Sequence, residues 1–525
     1  MDNNKNFLKF KSAFPALNIS LVYLFFIILS GFLLRVYNLG KMSFWFDEAV
    51  QLFISRHFME YPIRLNLPGA FIFTFSFLLK CWMSISSNDY FLKLFPVLFG
   101  ILSLVLIYLL GKLIFSRKTG VLGALLLAFS PLHIYYSQEL TGYSLSIFLA
   151  LSSSYCFLRI LRKPTFLTMS FYIIATAAFI YNHSINSVLV LIQNLFFYLL
   201  YPGKEGFKKK WLYLQMVLLL FCFPCLILTV IRFSIFSDKN IYFWIPDLGP
   251  RMPVITFMIF SLGYNAHWVP QLLALSVFTL LSLKAMYHWH KKSEFPYLVL
   301  WAIVPVSLVW LMPRFRAFYL HRLFFFTLPA FYLIAAAGIE RVNKLFLAVC
   351  GVYLVLTAYS LKNYYENKLP PNYEKYYLSS IWPRKDYRGS ALHLAEKFQE
   401  KDVILHICRS SYMPFLYYHK EKFPEYGIKM GDVYKHDWTR IFGQLPEFSI
   451  LKFLEIGRAN DLRDYKRIWL VVSDWSFSGI KKDPEDYVSR YAIAWFNKNF
   501  ILEEEHLFQG VNIYLYTRSG RDVQS

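Results

Sequence analysis

Charge is what this chain has little of. Only 17% of its 525 residues are charged, with 33 acidic side chains against 55 basic ones, where a soluble chain carries roughly 25% charged residues. That scarcity excludes a soluble enzyme along the whole length. Disorder is excluded too, because 53 Phe and 38 Tyr cannot stay hydrated as a coil. Cysteine is sparse: six are scattered, five in apolar stretches, and Cys408 stands alone in the polar C-terminal region. No disulfide framework exists. Cys222 and Cys225 fall inside a helix-length apolar run, which argues against a redox or zinc pair. There is no Walker motif, no GxGxxG after a strand, no internal repeat and no low-complexity tract, so nothing points to nucleotide binding. What is abundant is grease: 57% hydrophobic and 20% aromatic residues. The composition describes an integral membrane protein.

The formal charge is +22. In a soluble protein this would suggest nucleic acid. Here the cheaper explanation is basic cytoplasmic loops beside anionic headgroups, so membrane lipids are expected as partners and nucleic acid is not. Apolar runs of spanning length fall at about 17–36, 92–115, 119–136, 141–160, 165–182, 184–201, 211–231, 267–289, 295–312, 323–339 and 344–361, which predicts about 11 transmembrane helices. The first runs on into Arg35-Val36-Tyr37 without a small-residue cleavage site, so it is not a removable signal peptide. Lys5, Lys9 and Lys11, then Arg117 and Lys118, Arg159, Arg162 and Lys163, Lys204 and Lys208 to Lys210, Lys291 and Lys292, and Arg341 and Lys344 fall on one side if the N-terminus is cytoplasmic. That predicts a multi-pass protein of the cell (inner) membrane with residues 362–525 outside. It also requires 68–84 not to cross, and reads that stretch and 252–264 as interfacial or re-entrant helices.

Residues 1–361 therefore form one transmembrane domain, with a long first outer loop at 37–91. From 362 onward charges become dense. Residues 403–407 and 468–472 read as buried strands, 390–398 and 487–496 as amphipathic helices, and 500–508 with 511–516 as a closing hairpin. This predicts a small extracytoplasmic α/β domain.

Four polar clusters could carry chemistry. Trp45-Phe46-Asp47-Glu48-Ala49 puts two carboxylates just after the first span, at headgroup level. Burial among aromatics would raise Asp47 towards the range of a general base; the alternative is that Asp47 caps a helix over 48–58, with Glu48 favouring its dipole. Ser130-Pro131 to Tyr143 contains His133, Gln138 and Glu139 in an outer turn between apolar helices. Such groups are either functional or a wet helix–helix turn. His183 lies at the outer end of the fifth span, as a site residue or a hydrogen-bonded structural one. Arg314, Arg316, His321 and Arg322 are outer cations that run against the inside-positive trend. They suit a phosphate clamp, or snorkel to headgroups. All four clusters share one face. Activated nucleotide sugars are not available outside a cell, so a transferase there needs a donor carried across on a polyprenyl phosphate.

At this point the chain resembles a known family. Trp45-Phe46-Asp47-Glu48-Ala49 looks like the W-x-D-E-A motif of the GT-C glycosyltransferases of the family 39 type, which include bacterial protein O-mannosyltransferases and the lipid A aminoarabinose transferase. Ser130 to Tyr143 looks like their S-P-x-x-x-x-x-S-Q-E-x-R-x-Y segment, His183 matches a His after the fifth span, and Arg322 to Pro329 resembles R-Y-x-x-x-x-x-P. The motifs run in order over about 1–340. The resemblance implies a GT-C fold and an inverting transfer of a hexose or pentose. Asp47 would be the base, Glu48 and Glu139 would support it, and Arg322 would bind the donor phosphate. His183, Gln138, Tyr143, His321 and Lys93 would line the donor pocket. Thr141 stands where the family usually has Arg, Asn66-Leu67-Pro68-Gly69 where it has His-Pro-Pro-Leu, and Lys93 where Arg is common. No cofactor and no tightly bound metal are expected, since zinc-ligand spacing is missing; a divalent ion beside Asp47 and Glu139 is conceivable. The acceptor, whether protein, lipid or polysaccharide, stays open. So do two rival readings: a lipid or sugar transporter or flippase, and a non-catalytic receptor with an outer binding domain.

Overall fold

The computed structural model describes residues 19–59, 73–202, 205–235, 249–312, 319–341, 344–370, 384–407, 409–419, 423–429, 452–455, 462, 464–473 and 484–518. Lys5, Lys9, Lys11, Asn66 to Gly69, Lys204, Arg314, Arg316 and Cys408 lie outside these. The membrane part is built from α1 (Ile19–Val36), α2 (Phe46–Arg56), α3 (Phe73–Met83), α4 (Asp89–Ile114), α5 (Arg117–Ala128), α6 (Pro131–Gln138), α7 (Tyr143–Arg162), α8 (Phe166–Asn182), α9 (Ser187–Leu195), α10 (Lys208–Ile235), α11 (Met252–Leu262), α12 (Trp268–Trp289), α13 (Phe295–Leu311), α14 (Leu328–Ile339) and α15 (Lys344–Tyr365).

A helix stands at every apolar run named from the sequence, but not all are equally long. Among the described residues six helical segments are long and apolar enough to cross a bilayer, and α5 with α6 makes a seventh if the bent pair is one span. The segments 166–182, 184–200 and 295–311 are apolar but shorter. Of the stretches read as interfacial or re-entrant, 252–264 holds α11, 11 residues long, about 16 Å against the about 30 Å of a hydrocarbon core, and 73–84 holds α3, residues 68–72 lying outside the described residues.

The sequence reading of Ser130 to Tyr143 as an outer turn after the span at 119–136 is corrected. The helix breaks at Phe129-Ser130 and bends by 60°. Pro131 offers no N–H to the preceding turn, and the Ser130 hydroxyl accepts the His133 N–H at 3.2 Å, so a second helix starts there. All of α6 is buried, and the true turn is only Glu139–Gly142. The break leaves α5 carbonyls without helical partners inside the membrane part. Arg35, at the end of α1 and fully buried, supplies them: Nη1 donates to the Ala128 carbonyl at 3.0 Å and Nη2 to Leu127 at 3.2 Å. Helices α12 and α14 approach so closely at Gly338 that an added Cβ would run into the Leu281 carbonyl.

The polar ends of the bundle are distinct. At one end the Ser116 hydroxyl donates to Glu340, Arg162 pairs with Glu294 at 2.7 Å, and Arg341 lies 4.9 Å above the Trp289 ring. Arg117, Lys118, Arg159, Lys163 and the Lys208–Lys210 run border this end. The candidate site residues lie at the other.

Beyond the bundle lie α16 (Tyr387–Lys397), β1 (Asp402–His406), α17 (Arg409–His419), β2 (Glu425–Lys429), β3 (Lys452–Glu455), β4 (Arg467–Ser473), α18 (Pro484–Asn499), β5 (Phe500–Phe508) and β6 (Val511–Arg518). The strands form one sheet in the order β3-β2-β1-β4-β6-β5, parallel from β3 to β4 and antiparallel through the β5–β6 hairpin. Strand β2, helix α17 and strand β3 were not foreseen. β2 hides because it reads Glu-Tyr-Gly-Ile-Lys; its buried Glu425 is held between His406, at 3.2 Å, and His419. This domain docks on α2. Tyr412 and Met413 of α17 bury against Ala49, Val50 and Phe53, and the Tyr418 hydroxyl accepts the Phe44 N–H at 2.7 Å.

Candidate active site

The site is assembled where α2 meets the ends of α6, α7 and the 3-10 turn His321–Thr327. Helix α2 starts at Phe46, two residues earlier than the sequence suggests, and Trp45 is its N-cap. The capping carboxylate is Glu48, which accepts the Trp45 N–H at 3.1 Å. The expectation that Asp47 is the cap is therefore corrected. A residue in the second helical position points off the helix end, and Asp47 spends its carboxylate elsewhere: Arg322 Nη1 donates to its Oδ2 at 3.2 Å. Asp47 remains half-buried. Its burial raises the carboxyl pKa and the Arg322 charge pulls it back.

Glu48 is a buried hub. Besides Trp45 it accepts the Leu140 N–H at 2.8 Å, and Lys93 Nζ stands 3.9 Å away. Lys93 also donates to the Met42 carbonyl at 2.8 Å and lies over the Phe44 ring. The structure therefore places Lys93 beside Glu48 and the chain leading into α2.

Glu139, directly after α6, is buried and within 3.5 Å of the Thr141 hydroxyl. Burial and the nearby Glu48 charge lift its pKa to about 8, against the pull of Arg322 and Arg384. At neutral pH it holds its proton. Tyr143 opens α7, and the Arg322 guanidinium lies 5.9 Å from its ring centre. Arg322 also has a buried Nε without a partner. His183 follows α8, and its Nδ1 accepts the Ile185 N–H at 3.4 Å, which leaves the ring proton on Nε2. Burial, aided by Arg322, lowers its pKa to about 4, so it is neutral at physiological pH.

Gln138, His321 and His133 have partners other than Asp47. Gln138 straps the end of α1, donating to the Arg35 and Tyr37 carbonyls at 2.8 and 2.9 Å while accepting from Tyr364. His321 is buried against Thr256 Oγ1 at 2.8 Å. His133 pairs with Arg35 at 2.6 Å. Asp47, Glu139, Tyr143, His183 and Arg322 are the group that converges. Sequence reasoning missed Arg384, whose guanidinium lies 4.6 Å from the Tyr364 ring centre and 5.5 Å from that of Tyr135. Its signal was weak, since it sits in an ordinary charged stretch of the tail. Among the described residues no group of three His, Cys, Asp or Glu side chains is placed to hold a metal ion.

Fold and site together define a class: a multi-pass membrane protein with the GT-C glycosyltransferase fold and a carboxylate–guanidinium pair at one end of its bundle. The dolichyl-phosphate-mannose-protein mannosyltransferase family model matches residues 72–228. ArnT from Cupriavidus metallidurans, solved in the apo state and bound to undecaprenyl phosphate, is similar at TM-score 0.58 and 12% identity, over 95% of this chain and 98% of that one. The Archaeoglobus fulgidus oligosaccharyltransferase tethered to an acceptor peptide is similar at TM-score 0.51 and 12% identity, over 97% and 75% of the two chains. The arabinofuranosyltransferase AftD from Mycobacteria, as its R1389S mutant, gives TM-score 0.52 and 13% identity, over 95% of this chain and 42% of that one. Curated protein sequences give no match.

Proposed function

We propose that this chain is a membrane glycosyltransferase that moves a hexose or pentose from a polyprenyl-phosphate donor to an acceptor on the outer face of the membrane. The observation that carries the reading is the Asp47–Arg322 pair, an acid and a fork-shaped cation at one end of the bundle with 3.2 Å between them. Asp47 takes the proton of the acceptor hydroxyl or amine. The freed electron pair attacks the anomeric carbon from the side opposite the phosphate, so the configuration inverts. The bond from that carbon to the phosphate oxygen breaks, and the electrons leave on the polyprenyl phosphate. Arg322 stabilises the charge that develops there. Neutral Glu139 and His183 offer hydrogen bonds without adding charge, and Glu48 with Lys93 fixes the segment that carries Asp47.

The bound undecaprenyl phosphate of the structurally similar ArnT supports a polyprenyl-phosphate donor. The basic residues at the opposite end of the bundle support an N-terminus in the cytoplasm and the α/β domain outside, in the cell (inner) membrane. The test is transfer of label from a radiolabelled polyprenyl-phosphate sugar in membranes containing the wild-type chain or Asp47→Asn at matched expression. Transfer by wild type alone supports the reading. Equal transfer by both removes Asp47 from the mechanism, and no transfer by wild type overturns the reading.

A further inference from the structure

Helix α17 is held between two surfaces. Tyr412 and Met413 bury against Ala49, Val50 and Phe53 of α2, with Leu416 and Tyr417 packed beside them. Ser411, Phe415 and His419 recur at four-residue spacing, which turns them to a second face, towards the sheet. Three ionisable side chains meet there, all buried: His406 at the end of β1, Glu425 at the start of β2 and His419 at the end of α17. His406 Nδ1 lies 2.9 Å from the Ser411 hydroxyl and its Nε2 lies 3.2 Å from Glu425 Oε2, while His419 Nε2 pairs with Glu425 Oε1. The trio thus ties α17 to β1 near its start and to β2 at its end.

Among the described residues the ionic partners of Glu425 are these two imidazoles. From α17 the Tyr412 and Phe415 rings stand against His406, at 5.7 and 5.4 Å between ring centres, and the Phe423 ring stands 4.9 Å from that of His419. Helix α16 and strand β4 add Tyr387, Ala391, Leu394, Trp469 and Val471 to the core that holds Phe415, and the Arg388 charge of α16 is taken up by Asp89. Charge in such surroundings is tolerated only while it balances. Burial pushes the Glu425 carboxyl up, and the two imidazoles more than offset this and hold it below the ordinary carboxylate value. A carboxyl held low stabilises the folded state fully above the unfolded value of about 4.3, and that stability is lost as pH falls through the lower folded value. Once Glu425 takes a proton, the imidazoles lose their counter-charge.

We propose that His406, Glu425 and His419 form an acid-sensitive catch, which holds α17 on the sheet and against α2 at neutral pH and lets it go in acid. Because α2 carries Asp47, the catch couples the acidity around the outer domain to that helix, whatever reaction the site performs. The test is hydrogen–deuterium exchange of the detergent-purified full chain. Peptides from α17 and α2 are followed by mass spectrometry between about pH 7 and about pH 3, with the intrinsic pH dependence of exchange divided out. In wild type both helices are expected to lose protection together below about pH 4, while α4 and α7 keep theirs. His419→Gln leaves His406 alone to hold the proton off, so the loss is expected to move to higher pH. Glu425→Gln cannot ionise, so its α17 is expected to be less protected at neutral pH and to show no acid step. Constant protection of wild-type α17 down to about pH 3 overturns the inference, as does loss of α4 and α7 together with it, which is general acid unfolding. An acid step at the same pH in wild type and His419→Gln also overturns it. Should Glu425→Gln not fold, the shift in His419→Gln decides.

Discussion

Asp47 and Arg322 stand 275 positions apart in the chain, and the side-chain atoms Oδ2 and Nη1 meet at 3.2 Å. The contact exists because Glu48, next door, takes over the cap of α2 and leaves Asp47 free. The two neighbouring carboxylates therefore make separate contacts, Glu48 with the Trp45 and Leu140 N–H groups and Asp47 with Arg322.

That division predicts opposite phenotypes. Asp47→Asn should lower transfer by about 10²–10⁴-fold, the usual worth of a general base, with little change in thermal stability. Glu48→Gln should destabilise, because it weakens the pairing of buried Lys93 and the acceptance of the Trp45 and Leu140 N–H groups. A loss of about 3 kcal/mol is expected for breaking a buried pair. Thermal unfolding in detergent beside the transfer assay separates them. If Asp47→Asn unfolds as early as Glu48→Gln, both carboxylates are structural and a receptor becomes the better reading.

Glu139 gives a pH prediction. Its folded pKa is raised to about 8 by burial and by Glu48, against about 4.3 for an unfolded Glu. Between these values the folded state holds a proton that the unfolded state has lost. Stability from this group is therefore full below about 4.3 and declines as pH rises to about 8. Glu139→Gln cannot ionise, so its melting temperature relative to wild type should rise from pH 6 to pH 9. A constant difference between the two proteins across that range would show that Glu139 is already ionised at neutral pH.

The bundle and the converging carboxylates were legible because burial in lipid writes itself as long apolar runs, and because charge inside such runs is costly enough to stand out. Asp47, Glu139 and Arg322 were visible for that reason. Three things were not. The break in α5–α6 was hidden because its loose carbonyls are satisfied by Arg35, a residue of another helix that reads as a boundary signal. The contacts of Gln138 and Lys93 with neighbouring backbone were hidden because a polar side chain at a helix end looks the same whether it faces a ligand or straps a neighbouring backbone. Arg384 escaped notice because a lone Arg in a charged tail has no local pattern; only the tertiary fold brings it to Tyr364.

Arg35 yields a third prediction. It donates to the Gly31, Leu127 and Ala128 carbonyls and contacts His133, so Arg35→Ala strands several buried acceptors at once. The expected cost is about 3 kcal/mol or more, seen as a large drop in melting temperature. Arg35→Lys has one ammonium where the fork had two arms, and should recover only part of it. Full recovery by Lys would mean that charge alone, and not the fork on the broken helix, is what the site needs.

The last prediction concerns the outer domain. Because Tyr412 and Met413 bury against Ala49, Val50 and Phe53, and Tyr418 accepts from Phe44, the domain grips the helix that positions Asp47. Met413→Ala should leave a cavity in that grip and destabilise it by about 2–3 kcal/mol. Tyr418→Phe removes one hydrogen bond and should cost about 1 kcal/mol. Neither residue touches the acid or the guanidinium, yet both substitutions loosen α2, and displacements of about 1 Å at a reacting group are enough to cost rate. Transfer should therefore fall for both, more for Met413→Ala, while the bundle itself keeps its helical circular dichroism. Unchanged transfer in a Met413→Ala protein of lowered stability would show that α2 is held in place by α3 and the bundle alone.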